Sequence, residues 1–300
     1  MAEQSSNSRR TFRYSDEVLI SYEVQGHGAT PVVFLHGFAA ALTTWNDIRP
    51  LFPPDRYRLY LLDLKGFGFS AKPRDGKYSP EDQAAIVIAF LKAMQLRHAV
   101  LIGHSLGGGI ALLAYLRSQA EGERELIERL VLIDCAAYPQ RLPPIMRLLA
   151  VRPLGWCILH LLPLRFMVRF TLEQIMHNRA AITPERIARY MTCYGGKGIA
   201  RVFTTTCRQL APDKYSATVA NFRTITLPTL IIWGREDRLI GVSHGIRLHG
   251  DIPGSRLVII DSCGHVPQEE RPAETFAAIA EFLGIEPGIV DSTRINADFN

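Results

Sequence analysis

The fold class follows from one pentapeptide, Gly103-His104-Ser105-Leu106-Gly107, and from the segments on either side of it. Before it stands an apolar run, Ala99–Gly103, which is typical of a buried strand, and after it an amphipathic stretch, Leu106–Ala120, which is typical of a helix. A sharp turn from strand to helix holds a serine hydroxyl clear of the backbone, and its crowding requires tiny residues two places on either side. The pentapeptide therefore predicts a nucleophilic Ser105 at the edge of a sheet.

The alternation of strand and helix continues outward from this turn. Further apolar runs predict buried strands over Pro31–Leu35, Tyr57–Leu62, Leu130–Ile133, Thr229–Trp233 and Leu257–Ile260. Helices are predicted between most of them, one from an N-cap at Ser79 to about Leu96 and another over Ala273–Leu283. Residues 10–25 alternate as an antiparallel hairpin would. The pattern predicts an α/β protein with a mostly parallel central sheet that is flanked by helices on both faces.

The alternation breaks in the middle of the chain, where prolines separate short helical segments without strand signals. We interpret residues 138–225 as a helical cap inserted over the carboxyl edge of the sheet, and residues 1–137 and 226–300 as the core domain. Between Ala136 and Ile225, thirteen Lys and Arg stand against three Asp and Glu. This basic insert is either a solvated helical face or a surface that recognises an anionic group.

Composition narrows the class of protein. A 47% hydrophobic and 21% charged chain is typical of a soluble globular protein, and its first seventeen residues contain no apolar signal region. The apolar stretch Leu154–Leu164 is too short to span a membrane. The five cysteines form no C-x-x-C pair, so we expect a reducing, cytoplasmic location, with no metal and no cofactor. No nucleic-acid-binding motif accompanies the basic charge, so we expect no nucleic acid partner; a weak contact with a membrane or an acidic carrier protein through the cap stays open.

A serine hydroxyl needs a base to take its proton, and the base needs a carboxylate to orient it. His265 follows the last predicted strand, in a loop that emerges at the same edge of a parallel sheet as Ser105. Two acids also follow strands at this edge, Asp237 and Asp134. We predict Asp237 as the partner of His265; with it, the three residues follow one another along the chain in the order Ser, Asp, His. Asp134 stays as the alternative acid.

The tetrahedral oxyanion of an acyl transfer needs two hydrogen-bond donors. One is predicted to be the backbone N–H of Leu106, which comes directly after the nucleophile. The other is the N–H of Phe38, in the loop that follows the strand Pro31–Leu35. The turns that hold these donors and the nucleophile in place are predicted at His36, Gly37, Gly103 and Gly107.

These residues resemble the α/β-hydrolase family over nearly the whole chain, from about Thr11 to Leu283. The stretch from Asp63 to Ser70 is similar to the family's D-x-x-G-x-G-x-S loop, and His265 to Pro272 is similar to its H-x-x-x-x-E-x-P signature. The resemblance implies a Ser-Asp-His triad and a cap that forms the acyl or alcohol pocket, but it specifies no substrate.

Within that resemblance, the cap is expected to supply both an apolar wall and charge. The wall would come from Leu154–Leu164 and Phe166–Phe170. The charge would come from seven arginines: Arg165, Arg169, Arg179, Arg186, Arg189, Arg201 and Arg208.

Departures from other branches of the family narrow the activity. A serine at 105 argues against haloalkane dehalogenases and epoxide hydrolases, which use an aspartate. Val266 stands where carbon–carbon bond hydrolases usually carry a tryptophan, and the chain has no HGGG run. We therefore predict a serine hydrolase that cleaves a small-molecule carboxylic ester or thioester through an acyl-enzyme at Ser105; an anionic substrate stays open as an alternative to a neutral one. The alternatives are a cofactor-free perhydrolase or haloperoxidase, a carbon–carbon bond hydrolase, and a non-catalytic ligand-binding protein.

Overall fold

An eight-stranded sheet organises the chain, in a computed structural model that describes residues 9–139, 142–210, 219 and 221–286. The strands cross the sheet in the order β1-β2-β4-β3-β5-β6-β7-β8. The pairs β1–β2 and β2–β4 are antiparallel, and every other neighbouring pair is parallel. Their bounds are β1 Arg10–Arg13, β2 Leu19–Gln25, β3 Thr30–Leu35, β4 Tyr57–Leu62, β5 Ala99–His104, β6 Ile127–Ile133, β7 Thr229–Gly234 and β8 Arg256–Ile260.

Helices connect the strands and cover the sheet. In the described part of the chain they are α1 Pro80–Ala93, α2 Leu106–Ala120, α3 Pro144–Ala150, α4 Arg152–Leu161, α5 Leu164–Ile175, α6 Pro184–Cys193, α7 Ile199–Gln209, α8 Ser243–Asp251, α9 Pro267–Glu270 and α10 Pro272–Leu283. The predicted α/β class with a mostly parallel, helix-flanked sheet is confirmed.

The parallel part of the sheet is buried on both faces from β3 to β7, which explains why these strands are mostly apolar runs instead of alternating ones. Along β5, Leu101 packs into a cluster with α1, α2 and α8, while its neighbour Ile102 packs into a second cluster with α10. Along β6, Leu132 and Ile133 divide in the same way. Because successive side chains point to opposite faces, each of the strands β3 to β7 contributes to two cores.

The predicted helix starts and stops have clear local causes. Ser79 caps α1 by accepting a hydrogen bond from the Asp82 N–H at 3.2 Å, while the Asp82 carboxylate accepts one from the Ser79 N–H at 3.1 Å. The helix ends at Ala93, earlier than the predicted Leu96, because Gln95 has a positive φ of 54°. Gly284, with a φ of 66°, ends α10 where the sequence placed its stop.

Helices α3 to α7 lie between β6 and β7, within the segment that we interpreted as a cap; the domain division itself stays a prediction. Residues 1–8, 140–141, 211–218, 220 and 287–300 of the predicted cap and core lie outside the described residues. Among the described residues no single helix is long and apolar enough to cross a membrane. One pair of segments, Pro144–Ala150 and Leu154–Leu161, meets that test of length and composition together, with a bend of 109°.

Candidate active site

Ser105 occupies a strained turn at the junction of β5 and α2. Its φ is 52° and its ψ is −117°, a conformation that L residues rarely adopt. A Cβ on Gly103 would stand 2.4 Å from the Gly107 carbonyl oxygen, and one on Gly107 would stand 2.0 Å from the Leu35 carbonyl oxygen. Because backbone atoms form both contacts, neither position has room for a side chain. The turn therefore has the crowding that the sequence predicts.

Ser105, His265 and Asp237 form one hydrogen-bonded chain. The Ser105 Oγ lies 2.9 Å from His265 Nε2, and His265 Nδ1 lies 2.7 Å from Asp237 Oδ2. All three residues are buried. Because a carboxylate can only accept, Nδ1 carries the imidazole proton and Nε2 is left to accept from the serine hydroxyl. Such an arrangement can move a proton from the serine oxygen to the imidazole while Asp237 stabilises the resulting positive charge.

The backbone that follows β7 fixes the Asp237 carboxylate. Its Oδ1 accepts hydrogen bonds from the N–H groups of Leu239 at 2.7 Å and Ile240 at 3.0 Å. Burial alone would raise the pKa of Asp237. The attraction of His265 and the hydrogen bonds to the carboxylate outweigh burial, so the pKa of Asp237 lies below its ordinary value. The carboxyl is therefore charged where it meets the imidazole.

Asp134, the alternative acid, lies beside this chain without bonding to the imidazole. Its Oδ1 accepts a hydrogen bond from the Gly234 N–H at 3.1 Å, and its carboxyl lies within hydrogen-bonding reach of the Asp237 carboxylate. Burial, followed by the nearby charge of Asp237, holds the pKa of Asp134 well above its ordinary range. Asp134 is therefore neutral, which suits a hydrogen-bond donor and not the orienting charge that an imidazolium needs.

The residues Asp134, Asp237 and His265 have ligand atoms within 4.8 Å of one another and are the only such metal-binding group among the described residues. His265 Nδ1 and Asp237 Oδ2, which lie 2.7 Å apart, are hydrogen-bonded to each other, and this leaves no space for an ion between them. The geometry thus fits a proton-transfer chain better than a metal centre, and the absence of a metal stays a prediction.

Three contacts hold the backbone around His265 in place. The His265 N–H donates to the Ile175 carbonyl at 2.7 Å, and the Gly264 N–H donates to Glu270 Oε1 at 2.9 Å. Nε2 of His104 lies 2.7 Å from the His265 carbonyl oxygen, and burial lowers the pKa of His104 to about 3. His104 is therefore neutral and donates from Nε2. These contacts fix the position from which the imidazole reaches Ser105.

Glu270 is the glutamate of the H-x-x-x-x-E-x-P signature, and its role was not visible in the sequence. Besides Gly264, its carboxylate accepts hydrogen bonds from the N–H groups of His177 at 2.8 Å and Asn178 at 3.0 Å. Those two residues directly follow α5. The signature glutamate thus joins the loop of His265 to the helical insert.

The two predicted oxyanion donors are free to bind a ligand. Within the described residues, neither the Leu106 N–H nor the Phe38 N–H donates a hydrogen bond. A Cβ on Gly37 would stand 3.2 Å from the Ser105 Cβ, so a glycine lets the loop of Phe38 approach the nucleophile. His36 holds this loop from behind, because its Nε2 accepts a hydrogen bond from the Leu64 N–H at 3.0 Å. Burial lowers the pKa of His36 to about 4, which keeps it neutral for that task.

A cavity of about 950 Å³ opens above Ser105 and His265. Apolar and aromatic side chains from the sheet edge and the insert form most of its wall, among them Phe38, Leu113, Ile158, Leu159, Leu162, Phe166, Phe170, Tyr194 and Phe203. The turn at Ser105 therefore stands at the bottom of an apolar chamber.

The sequence model of a protein family described as alpha/beta hydrolase fold matches residues 30–272 of the chain. The chain belongs to the α/β-hydrolase fold family. It is 32% identical to the uncharacterized hydrolase YugF of Bacillus subtilis, over 89% of this chain and 95% of that protein. It is 28% identical to a 2-hydroxymuconate semialdehyde hydrolase of Pseudomonas putida, over 86% of this chain and 87% of that one. A meta-cleavage product hydrolase of Pseudomonas fluorescens superposes with a TM-score of 0.75 at 25% identity, covering 89% and 94% of the two chains.

The cavity of this α/β hydrolase differs from the sequence-based expectation in its charges. None of the seven arginines that we expected to charge the pocket lines the cavity around Ser105. Among the described residues, the arginines that line it are Arg147 and Arg238, which are exposed at its rim. The arginines of the insert face solvent or the core domain instead, because a guanidinium buried in an apolar chamber without an acidic partner would be strongly destabilising.

Two of those arginines connect the insert to the core of the hydrolase. Arg186 lies 3.1 Å from Asp47 and 3.4 Å from the buried Glu269, and Arg189 lies 3.2 Å from Asp47. Glu269 also accepts a hydrogen bond from the Tyr190 hydroxyl at 2.7 Å. No local pattern marks Glu269 in the sequence, because its partners are at least 79 positions away along the chain.

Proposed function

We propose that this α/β hydrolase cleaves a carboxylic ester or thioester with an apolar acyl group, through an acyl-enzyme on Ser105. The proposal depends on one observation: the Ser105 Oγ lies 2.9 Å from His265 Nε2 in the wall of the apolar cavity of about 950 Å³. A nucleophile within hydrogen-bond reach of a base that a third group orients is the general signature of covalent catalysis.

The reaction has two halves. Ser105 attacks the carbonyl carbon while His265 takes the hydroxyl proton, and Asp237 stabilises the imidazolium. The negative oxygen of the tetrahedral intermediate accepts hydrogen bonds from the N–H groups of Leu106 and Phe38. His265 then gives its proton to the leaving alcohol or thiol. In the second half His265 takes a proton from water, the hydroxide attacks the acyl-enzyme, and Ser105 recovers its proton as the acid leaves.

The lining of the cavity favours an uncharged, apolar acyl group. Near Ser105 the wall contains Phe38, Leu106 and Val266, and the buried Tyr190 hydroxyl is already engaged by Glu269. Transfer of an apolar chain from water to such a wall is favourable by about 0.8 kcal/mol for each buried methylene group. A carboxylate at the same place would lose its hydration without gaining a partner.

A second candidate is the hydrolysis of a carbon–carbon bond, because relatives named for that chemistry are 25% to 28% identical over most of the chain. A substrate such as 2-hydroxymuconate semialdehyde carries a carboxylate. Among the described residues, the arginines that line the cavity are Arg147 and Arg238, both at the rim. The ester reading is therefore preferred.

The experiment compares p-nitrophenyl esters and acyl thioesters of increasing chain length with 2-hydroxymuconate semialdehyde, together with labelling by a fluorophosphonate. We expect kcat/KM for the esters and thioesters to rise with the length of the acyl chain. These values should exceed the kcat/KM for 2-hydroxymuconate semialdehyde, which is a dienoate. Ser105→Ala is expected to abolish turnover and labelling, while Ser243→Ala, at an exposed serine of α8, retains both. Labelling that persists in Ser105→Ala would place the nucleophile elsewhere, and a higher kcat/KM for the dienoate would favour the second candidate.

A further inference from the structure

Large apolar side chains are exposed on one part of the molecule. Of thirteen such residues among those described, nine lie between residues 145 and 170, on helices α3, α4 and α5 and the turns between them. We call this the apolar surface; its members are Ile145, Leu148, Val151, Leu154, Trp156, Leu161, Leu162, Phe166 and Phe170. Exposed apolar residues scattered singly are ordinary, whereas large apolar side chains exposed together are typical of interaction sites.

The apolar surface is continuous with the cavity above Ser105. Five of its members, Ile145, Leu148, Leu162, Phe166 and Phe170, are both exposed and part of the cavity wall. The mouth of the cavity therefore opens within this surface. A ligand with a long apolar chain could pass from a partner that covers the surface into the cavity without crossing water.

Positive charge borders the apolar surface. Arg147 and Arg165 are exposed on the same helices, and neither has an acidic partner among the described residues. Trp156 also lines a second cavity, of about 670 Å³, together with Arg74, Arg201 and Arg208. Apolar side chains beside unpaired arginines complement a surface that is apolar inside and anionic outside.

We propose that helices α3 to α5 dock on the anionic leaflet of a lipid bilayer. The apolar side chains enter the boundary between headgroups and acyl chains, the indole of Trp156 lies at the level of the headgroups, and the arginines contact lipid phosphates. The bend of 109° between Pro144–Ala150 and Leu154–Leu161 suits a segment that lies in one leaflet and does not cross both. The proposal goes beyond the proposed hydrolysis and does not depend on it.

The charge argues for lipid over other partners. A second copy of the chain would bring two basic inserts together, and the like charges would repel. An acidic carrier protein would pair with the arginines but would leave much of an apolar surface of nine large side chains exposed. An anionic leaflet can cover the apolar surface and also pair with the arginines.

Tryptophan fluorescence offers a direct readout. The chain has three tryptophans, of which Trp45 and Trp233 are fully buried and Trp156 is 55% exposed. On addition of phosphatidylcholine vesicles that contain phosphatidylglycerol, we expect the emission to shift to shorter wavelength and brominated lipid to quench it. In Trp156→Phe neither change is expected, because the remaining indoles are already away from water.

Sedimentation with the same vesicles tests the surface by substitution. Leu161 is 72% exposed and does not line the cavity, so Leu161→Asp is expected to weaken the binding by about tenfold or more. Ile246→Asp, at a 54% exposed residue of α8, is the matched control and is expected to bind normally. Arg165→Glu is expected to weaken the binding and Arg124→Glu, at an exposed arginine before β6, to leave it unchanged.

Three outcomes would overturn the proposal. One is the absence of vesicle binding at low salt, and another is equal binding to vesicles of phosphatidylcholine alone, because the arginines would then contribute nothing. The third is a dimer in sedimentation velocity that Leu161→Asp dissociates, which would show that a second copy covers the surface. A failure of esterase activity would affect none of these measurements, since they record binding only.

Discussion

A carboxylate oxygen of Asp134 lies within 4.8 Å of one of Asp237; Asp134 directly follows β6, and Asp237 lies in the loop after the neighbouring strand β7. Two negative charges so close together in a buried site would repel strongly. The pair avoids this because burial raises the pKa of Asp134 and the partnership with His265 lowers that of Asp237. One carboxyl is therefore neutral and the other charged, although the same residue type stands at both positions.

The two aspartates should differ sharply in their effect on catalysis. Asp237→Asn removes the charge that orients and stabilises the imidazolium, so we expect kcat for ester hydrolysis to fall by roughly 10⁴-fold. Asp134→Asn replaces a neutral carboxyl with a neutral amide of the same shape, and its effect is expected to be far smaller. Steady-state kinetics on a p-nitrophenyl ester measure both. A larger loss in Asp134→Asn would mean that Asp134 is the catalytic acid.

Asp134 should also make stability depend on pH. Its folded pKa is raised above the ordinary value of 3.8, so the folded state holds the proton more tightly than the unfolded state does. The stability that this contributes is present below pH 3.8 and is lost as the pH rises through the folded pKa. Asp134→Asn has no such proton to lose.

We therefore expect Asp134→Asn to gain stability relative to the natural chain as the pH rises above the ordinary aspartate range. The gain should be about 1.4 kcal/mol per pH unit at most, until the folded pKa is passed. Urea unfolding at a series of pH values measures it, with Asp55→Asn, at an exposed aspartate, as the control. A pH-independent difference would mean that Asp134 has the same pKa in the folded and the unfolded protein.

The backbone strain at Ser105 predicts a trade of stability for function. Ser105→Ala retains a Cβ at a φ of 52°, whereas glycine adopts this conformation without steric conflict. The relief of strain, about 1–3 kcal/mol, exceeds the entropy that glycine adds to the unfolded chain. We expect both variants to be inactive and Ser105→Gly to be more stable than Ser105→Ala by about 1 kcal/mol in urea unfolding. Equal stabilities would show that this turn stores no strain.

Most strands could be predicted from the sequence because the parallel part of the sheet is buried on both faces from β3 to β7, so these strands appear as mostly apolar runs. Where a strand extends beyond its buried part, the signal fails: β6 begins at Ile127, but Glu128 and Arg129 interrupt the apolar run, and we placed its start at Leu130. Helix α8 lacks a clear helical signal in the sequence for a different reason. Only Gly245 and Leu248 are buried in it, and a Cβ on Gly245 would stand 2.6 Å from the Trp233 ring, so close packing replaces the usual apolar stripe with a glycine.

In the site, too, some residues could be predicted from local sequence and others could not. Ser105 directly follows β5, and Asp237 and His265 lie in the loops that follow β7 and β8, so the topology places all three at one edge of the sheet. Partners from distant segments carry no local pattern. Glu269 and Glu270 differ by one position, yet one binds Tyr190 and the other binds the backbone after α5. Only the packing of the insert against the core determines which carboxylate meets which partner.

The last prediction concerns the ion pairs between the insert and the core. Glu269 is buried, and Arg186 is its cationic partner at 3.4 Å. Burial raises the pKa of Glu269, and the attraction of Arg186 opposes that rise. Arg186→Met removes this partner and leaves a buried carboxylate unpaired, so we expect the free energy of unfolding to fall by about 3–5 kcal/mol. Arg165→Met, at an exposed arginine without an acidic partner among the described residues, should change it by less than about 0.5 kcal/mol.

A double-mutant cycle separates the ion pair from the loss of packing. Gln at position 269 is neutral and still accepts hydrogen bonds from the hydroxyls of Thr44 and Tyr190, whose distances to Glu269 are 2.5 and 2.7 Å. In a Glu269→Gln background no charge is left unpaired, so Arg186→Met should be much less damaging there, with a coupling of about 1–3 kcal/mol. If Arg186→Met has the same effect in both backgrounds, the arginine acts through its contact with Asp47, and Glu269 is held by its hydroxyl partners alone.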